Sequence, residues 1–154
     1  MDFDAIISAP FGALGIRCHA DALSEIRFLP PGTSTSAPRN ALAECAAGQL
    51  TQWLGDPHIA FDLPLATAGT PFQQRVWAAI ARIPVGQLRR YGELSAELGS
   101  AARAVGQACG ANPFPIVVPC HRVVARHAMG GFAHATSGFL IETKQWLQRH
   151  ECLR

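Results

Sequence analysis

Between Ala66 and Thr70 the chain changes its period, and this constrains the fold more than any other feature. Ahead of that point, Phe3–Ser8, Ala13–His19 and Leu23–Leu29 are short apolar-rich runs. Pro10-Phe11-Gly12 and Ala20-Asp21 separate them as turn signals, the pattern of strands in a small sheet. A Pro/Ser/Thr/Gly stretch from Pro30 to Pro38 reads as a loop. Ala41–Leu54 then carries Leu42, Cys45, Leu50 and Trp53 near helical spacing and stops at Gly55-Asp56-Pro57. Ile59–Leu65 is expected to add one more strand.

Behind that point the helical period takes over. Thr70-Pro71-Phe72-Gln73 is a helix start, with a Thr cap, Pro in the first turn and Gln at the capping-box position. Val76, Trp77, Ile80 and Ile83 continue the helix towards Pro84 and Gly86. Tyr91–Leu98 forms a second helix ending at Gly99, and Ser100 is expected to cap a third, Ala101–Gly110. Two short helices joined by a Gly-containing turn are the helix-turn-helix arrangement. Asn112-Pro113-Phe114-Pro115 leads to an expected apolar strand, Ile116-Val117-Val118. Pro119-Cys120-His121-Arg122-Val123 follows, then a Gly-containing loop from Met129 to Gly138. The last helix places Leu140, Thr143 and Leu147 on one face and closes at His150-Glu151. The expected fold is therefore α/β in the α+β sense. A small α/β domain occupies residues 1–68, and a mainly helical domain with a helix-turn-helix occupies 69–154.

Charge divides at the same place. Residues 1–68 hold three Arg against seven Asp/Glu, a balance of −4, whereas 69–154 hold ten Lys/Arg against four Glu, a balance of +6. A phosphate-contacting half beside a non-contacting half produces such an asymmetry. No apolar stretch reaches the length of a membrane span, and the acidic start Met1-Asp2-Phe3-Asp4 is unlike a basic secretory leader. A cytoplasmic location is expected. The five cysteines, Cys18, Cys45, Cys109, Cys120 and Cys152, are odd in number and contain no CxxC, which fits reduced thiols. Cys18-His19 is the one adjacent Cys-His pair outside Cys120-His121, and its spacing gives no metal site. Cys18, Cys45 and Cys109 read as small buried hydrophobes.

The helix Ala101–Gly110 is nearly bare of bulk, with Ala101, Ala102, Ala104, Gly106, Ala108 and Gly110. Close helix packing and entry into a narrow groove both account for that, while Val105 and Cys109 serve the core. Cys120 reads either as an inert buried thiol or as a nucleophile, and only the thiolate attacks. On an extended segment the neighbouring His121 points to the other face, so pairing with Cys120 needs a bend or a bridging water.

The segment Pro119-Cys120-His121-Arg122-Val123 resembles the O6-alkylguanine-DNA alkyltransferases, the methylated-DNA–protein-cysteine methyltransferases. The resemblance runs from Gly69 to Glu151 through Gly69-Thr70-Pro71-Phe72-Gln73-Gln74-Arg75-Val76-Trp77, Ile83-Pro84-Val85-Gly86 and Tyr91-Gly92-Glu93-Leu94. It continues through Ala102-Arg103-Ala104-Val105-Gly106 and Asn112-Pro113. It implies a ribonuclease-H-like N-terminal domain and a single-use repair reaction. An alkyl group passes irreversibly from guanine O6 to Cys120, without metal or cofactor, once the nucleotide has been flipped from the duplex. His121 resembles the base, acting through a water, and Glu151 the carboxylate that orients it. Lys144 matches a lysine that favours the thiolate, and Asn112 supports the turn before the cysteine. Tyr91 matches a tyrosine that promotes flipping and donates to guanine N3. In the minor groove, Ala102, Ala104 and Gly106 form the bare helix face; Arg103 matches a finger that fills the extruded base's place, with a plain phosphate contact as its other reading. Arg90 stands where Ser is frequent and adds a phosphate contact. Pro119, Val123, Phe132 and Ala133 line the alkyl pocket. Phe132 and Ala133 replace Tyr and Ser of some members, which leaves an apolar wall beside O6.

The implied partner is double-stranded DNA containing O6-alkylguanine, met by a monomer, with cooperative binding left open and no membrane involved. Three other readings stay in view. A non-reactive binder of alkylated DNA would lack the acceptor cysteine. A self-alkylating transcription regulator would need a further domain, for which 154 residues leave no room. A thiol hydrolase would turn over small esters.

Overall fold

The computed structural model describes residues 2–125 and 138–152. The chain forms two compact units, Met1–Thr67 and Ala68–Arg154. Together they make a mixed α+β protein.

In the first unit β1 (Ala5–Ala9), β2 (Gly12–His19) and β3 (Ala22–Leu29) pair antiparallel in sequence order. Pairs such as Ile6 with Gly15 and Ile16 with Ile26 set the register. Ala13, Leu14 and Ile16 are buried in succession on β2, so this strand is covered on both faces. One cover is Phe3, whose ring fits over Gly15 so closely that a Cβ there would lie 2.6 Å from it. Another is α1 (Ala41–Gly55), capped by the Asn40 side chain on Ala43 N at 2.8 Å. Its buried stripe is Ala43, Ala46, Ala47, Leu50 and Trp53. Leu42 and Cys45, expected on that stripe, sit off it, with Cys45 exposed. Alanines took their place because a helix laid against a sheet approaches more closely over small side chains. The expected strand Ile59–Leu65 does not form. One parallel bridge joins Leu65 to Leu23, and the Gln49 side-chain amide pairs with the Asp62 backbone in place of a neighbouring strand.

Near the start of the second unit Gly69 stands at φ 80°, where a Cβ would strike Trp77 at 2.6 Å. The capping box of Thr70 and Gln73 then starts α2 (Pro71–Ala81), as read from the sequence. Trp77 Nε1 donates to Ala108 O at 2.8 Å and Arg75 to Leu98 O at 3.0 Å, so α2 holds both helices of the helix-turn-helix. These are α3 (Tyr91–Leu98) and α4 (Ala102–Gly110). Gly99 turns left-handed between them, at φ 65°. Ser100 does not cap α4. Its N–H is spent on Ser95 O, in the turn that closes α3, and Ala101 takes the cap position.

The expected strand at Ile116–Val118 is absent too. Ile116 adopts φ 75° and Val118 N returns to Phe114 O, a tight turn followed by a 3-10 turn over Cys120–Arg122. Pro113, Pro115 and Pro119 lack the N–H donors that a ladder would require. A short parallel pair supplies the order instead, β4 (Arg89–Arg90) with β5 (Val123–Val124). The unit closes with α5 (Phe139–His150), which buries Thr143, Lys144 and Leu147; Leu140, expected with them, is half-buried.

Candidate active site

A 3-10 turn rather than an extended segment carries Cys120, His121 and Arg122. Cys120, His121 and Arg122 are all buried, with Cys120 4% exposed and His121 fully enclosed. Three elements converge on them. The β4–β5 pair, with Arg89 opposite Val123, sets Tyr91 at the start of α3 beside the turn. The end of α4 brings Cys109, and α5 brings Lys144 from its middle and Gln148 and Glu151 from its end.

Asn112 grips the sulfur. Its Nδ2 donates to Cys120 Sγ at 3.1 Å and to Val118 O at 2.8 Å, while its Oδ1 accepts from Phe114 N at 2.9 Å. The resemblance gives Asn112 a supporting task only; the structure also puts its amide on the Cys120 sulfur. The Cys120 thiol in turn donates to the Cys109 carbonyl at 3.5 Å. Hydrogen bonding with Cys109, and then burial, hold this thiol well above its ordinary range, against Asn112 and the Lys144 charge, which favour the thiolate.

Behind the cysteine, His121 Nε2 meets Glu151 Oε2 at 2.5 Å. Arg122 grips the same carboxylate through Nε to Oε1 at 2.7 Å and Nη2 to Oε2 at 2.9 Å. The third arm of Arg122, Nη1, donates to Ile83 O at 2.6 Å. Burial alone would raise the Glu151 carboxyl; hydrogen bonds from His121 and Arg122 outweigh it and hold the group down to about 2. Burial lowers His121 in spite of Glu151. A neutral imidazole facing a carboxylate through Nε2 carries its proton there, so the basic lone pair belongs to Nδ1. Gln148 Nε2 donates to His121 O at 3.1 Å and steadies the turn.

Lys144 donates Nζ to Val123 O at 2.9 Å and lies 5.9 Å from the centre of the Tyr91 ring. Burial brings its ammonium down to about 8, opposed by Cys109 and Cys120. Burial and the two cysteines raise the Tyr91 phenol, which keeps it a donor at neutral pH. The structure thus gathers Cys120, His121, Glu151, Asn112, Lys144, Val123 and Tyr91 into one site, with Pro119 buried beside them. Arg122, Gln148 and Cys109 were not foreseen there. Arg122 had a signal, since an arginine in a buried motif requires a carboxylate, but nothing in the sequence tied Cys109 to Cys120. Phe132 and Ala133 lie outside the described residues.

A second feature belongs to the helix-turn-helix. Val105, Ala108 and Cys109 bury one face of α4, while Ala102, Arg103 and Gln107 are exposed on the other and Ala104, Gly106 and Gly110 are half-buried. Arg103 is thus a long cation on an otherwise low helix face. Arg90, the α3 cap, is also exposed, and its backbone N–H donates to Glu93 Oε1 at 2.9 Å. Of the two remaining smaller cysteines read as buried, Cys18 is half-buried and Cys45 exposed. Among the described residues no three His, Cys, Asp or Glu side chains cluster as metal ligands, and no helix is long and apolar enough to cross a membrane.

A buried cysteine, a histidine and the carboxylate bonded to that histidine thus stand in the same unit as a helix-turn-helix. The family model described as the DNA-binding domain of 6-O-methylguanine DNA methyltransferase matches residues 71–153. A methylated-DNA–protein-cysteine methyltransferase of Salmonella typhimurium is 45% identical over 122 residues, covering 77% of this chain and 64% of that protein. The match therefore spans just under two thirds of that relative. One of the same name from Mycobacterium tuberculosis is 40% identical over 124 residues, covering 77% of this chain and 75% of that protein. The crystal structure of the M. tuberculosis O6-methylguanine methyltransferase aligns with a TM-score of 0.80 at 36% identity, over 95% of this chain and 90% of that one. A second structure of that protein, in complex with DNA, aligns equally well, over 96% and 91%. The chain belongs to the 6-O-methylguanine DNA methyltransferase family.

Proposed function

We propose that this protein repairs O6-alkylguanine in double-stranded DNA by moving the alkyl group onto Cys120, once per molecule. The observation that carries the reading is a cysteine sulfur held by Asn112 at 3.1 Å beside a histidine that is fixed by a buried glutamate at 2.5 Å.

The steps follow from the groups present. The low face of α4 enters the minor groove, with Ala102, Ala104 and Gly106 admitting the backbone and Arg103 standing in for the extruded nucleotide. Arg90 adds a phosphate contact. His121 takes the Cys120 proton at Nδ1 through a bridging water, and Glu151 steadies the imidazolium that results. The thiolate then attacks the alkyl carbon; an S–C bond forms as the C–O6 bond breaks, and the electron pair leaves on the guanine. Tyr91, kept a phenol, donates to N3 as charge builds there, and the Lys144 ammonium favours the thiolate. The carbonyls of Cys120 and Val123 accept from the guanine exocyclic amine. Each already accepts one bond, from Val123 N and Lys144 Nζ respectively, and each keeps a second lone pair. Pro119 and Val123 wall the alkyl group. The thioether product has no leaving group that water could displace, so the protein is spent. The protein acts as a monomer in the cytoplasm, residues 1–68 forming a supporting domain and 69–154 the working one.

The test is transfer of labelled methyl from an O6-methylguanine duplex. Uptake should saturate at one methyl per chain, and Arg103→Ala should slow reaction with duplex far more than with the free modified base. Continued turnover, or equal losses on both substrates, would overturn the reading.

A further inference from the structure

The mechanism above uses one thiol, yet two are buried together. Cys109 stands in the last turn of α4, 6% exposed, and its carbonyl accepts from the Cys120 thiol at 3.5 Å. Both side chains are buried, and the Cys120 sulfur lies against the residue that carries the second thiol. Cys18, Cys45 and Cys152 take no part in the site; Cys45 and Cys152 are exposed and Cys18 belongs to the other unit. The Asn112 amide fixes Cys120 Sγ from α4's own exit, so the two sulfurs are carried by one short stretch, residues 109–120. A disulfide needs its sulfurs at about 2.05 Å and Cβ atoms within about 4.5 Å; side-chain rotation sets the first and the approach of the two backbones the second, and here the backbone carbonyl of one cysteine already meets the sulfur of the other.

We propose that Cys109 is a resolving thiol, and that mild oxidation closes a Cys109–Cys120 disulfide which reversibly blocks the acceptor sulfur. The blocking part rests on the function proposed above; the bond itself does not. The oxidant is a peroxide. The Cys120 thiolate attacks one peroxide oxygen, an S–O bond forms, the O–O bond breaks and hydroxide leaves. The Cys109 sulfur then attacks the sulfenic sulfur; an S–S bond forms, the S–O bond breaks, and the departing hydroxide takes the Cys109 proton as water. Two thiols give up two electrons and two protons, and hydrogen peroxide becomes two waters. Without Cys109 the sulfenic acid has no such exit, and further peroxide carries it to the irreversible sulfinic acid. In the closed state Cys120 cannot be over-oxidised, so an acceptor that works once is kept for its lesion.

The test treats the reduced protein with hydrogen peroxide and reads intact mass, a non-reducing peptide map and the alkyl acceptance regained on adding dithiothreitol. Wild type should lose the mass of two hydrogens, yield a peptide joining Cys109 to Cys120, and regain most of its acceptance. Cys109→Ser, with folding checked by its melting curve and acceptance normalised to its own reduced sample, should instead gain the mass of two oxygens on Cys120 and regain little. Sulfinic acid on Cys120 of the wild type, or a link from Cys120 to any other cysteine, would overturn the proposal. That outcome is read by mass alone, so it decides the matter even if the variant fails to fold. Reduced wild type that takes up no alkyl group would instead refute the proposed function and leave the disulfide standing.

Discussion

Each unit of this protein sets a glutamate between two basic side chains, and the two arrangements have opposite consequences. On the sheet, Glu25 lies between Arg17 at 3.0 Å and Arg27 at 2.7 Å, with all three side chains between 23% and 41% exposed. At the end of α5, Glu151 lies between His121 and Arg122, and its side chain is fully enclosed. Water screens the first cluster, so its net worth is small. The second has surrendered its hydration and depends on every partner remaining. The enclosed one is also where the chemistry is proposed. Hydrogen bonds from His121 and Arg122 keep Glu151 ionised against its burial, and burial keeps His121 neutral, the states in which a carboxylate can orient a base.

Removing each glutamate sharpens the contrast. Glu151→Ala leaves Arg122 and His121 enclosed without their carboxylate and should cost about 3–5 kcal/mol in urea unfolding, with alkyl uptake lost as well. Acid should find the same group. Its folded value, about 2, lies below the ordinary carboxylate value of about 4.3, so its stabilisation is complete above the latter and disappears as pH falls towards the former. An unfolding series from neutral to strongly acid pH should show that loss in wild type and not in Glu151→Gln. Lys144→Met is the intermediate case. A buried ammonium drawn down to about 8 costs stability at neutral pH, so the variant should be no less stable, while alkyl transfer slows about tenfold for one weakened charge contact. Stability and rate falling together would deny the lysine its electrostatic role. Glu25→Ala, the smallest change, should cost about 1 kcal/mol or less and leave uptake as it was.

What was legible in the sequence differs between the units for the same physical reason. Strands β1 to β3, α2 with its capping box, and the helix-turn-helix were readable because turn residues and caps act locally. The strands expected at Ile59–Leu65 and Ile116–Val118 failed because an apolar run says nothing about a partner. The first found the Gln49 side chain, and the second was folded back by prolines. At the site, the motif gave Cys120, His121 and Glu151. The Arg122 clamp, the Asn112 bond to sulfur and the Cys109 contact depend on elements converging from distant parts of the chain. No spacing rule encodes that.

All of this depends on Cys120 being the atom that receives the alkyl group. Peptide mapping by mass spectrometry, after incubation with an O6-methylguanine duplex under reducing conditions, tests it most directly. One methyl on the peptide containing Cys120, absent from Cys120→Ala, is the result expected; a methyl on Cys109 or any other residue, or one that persists in Cys120→Ala, would contradict the account.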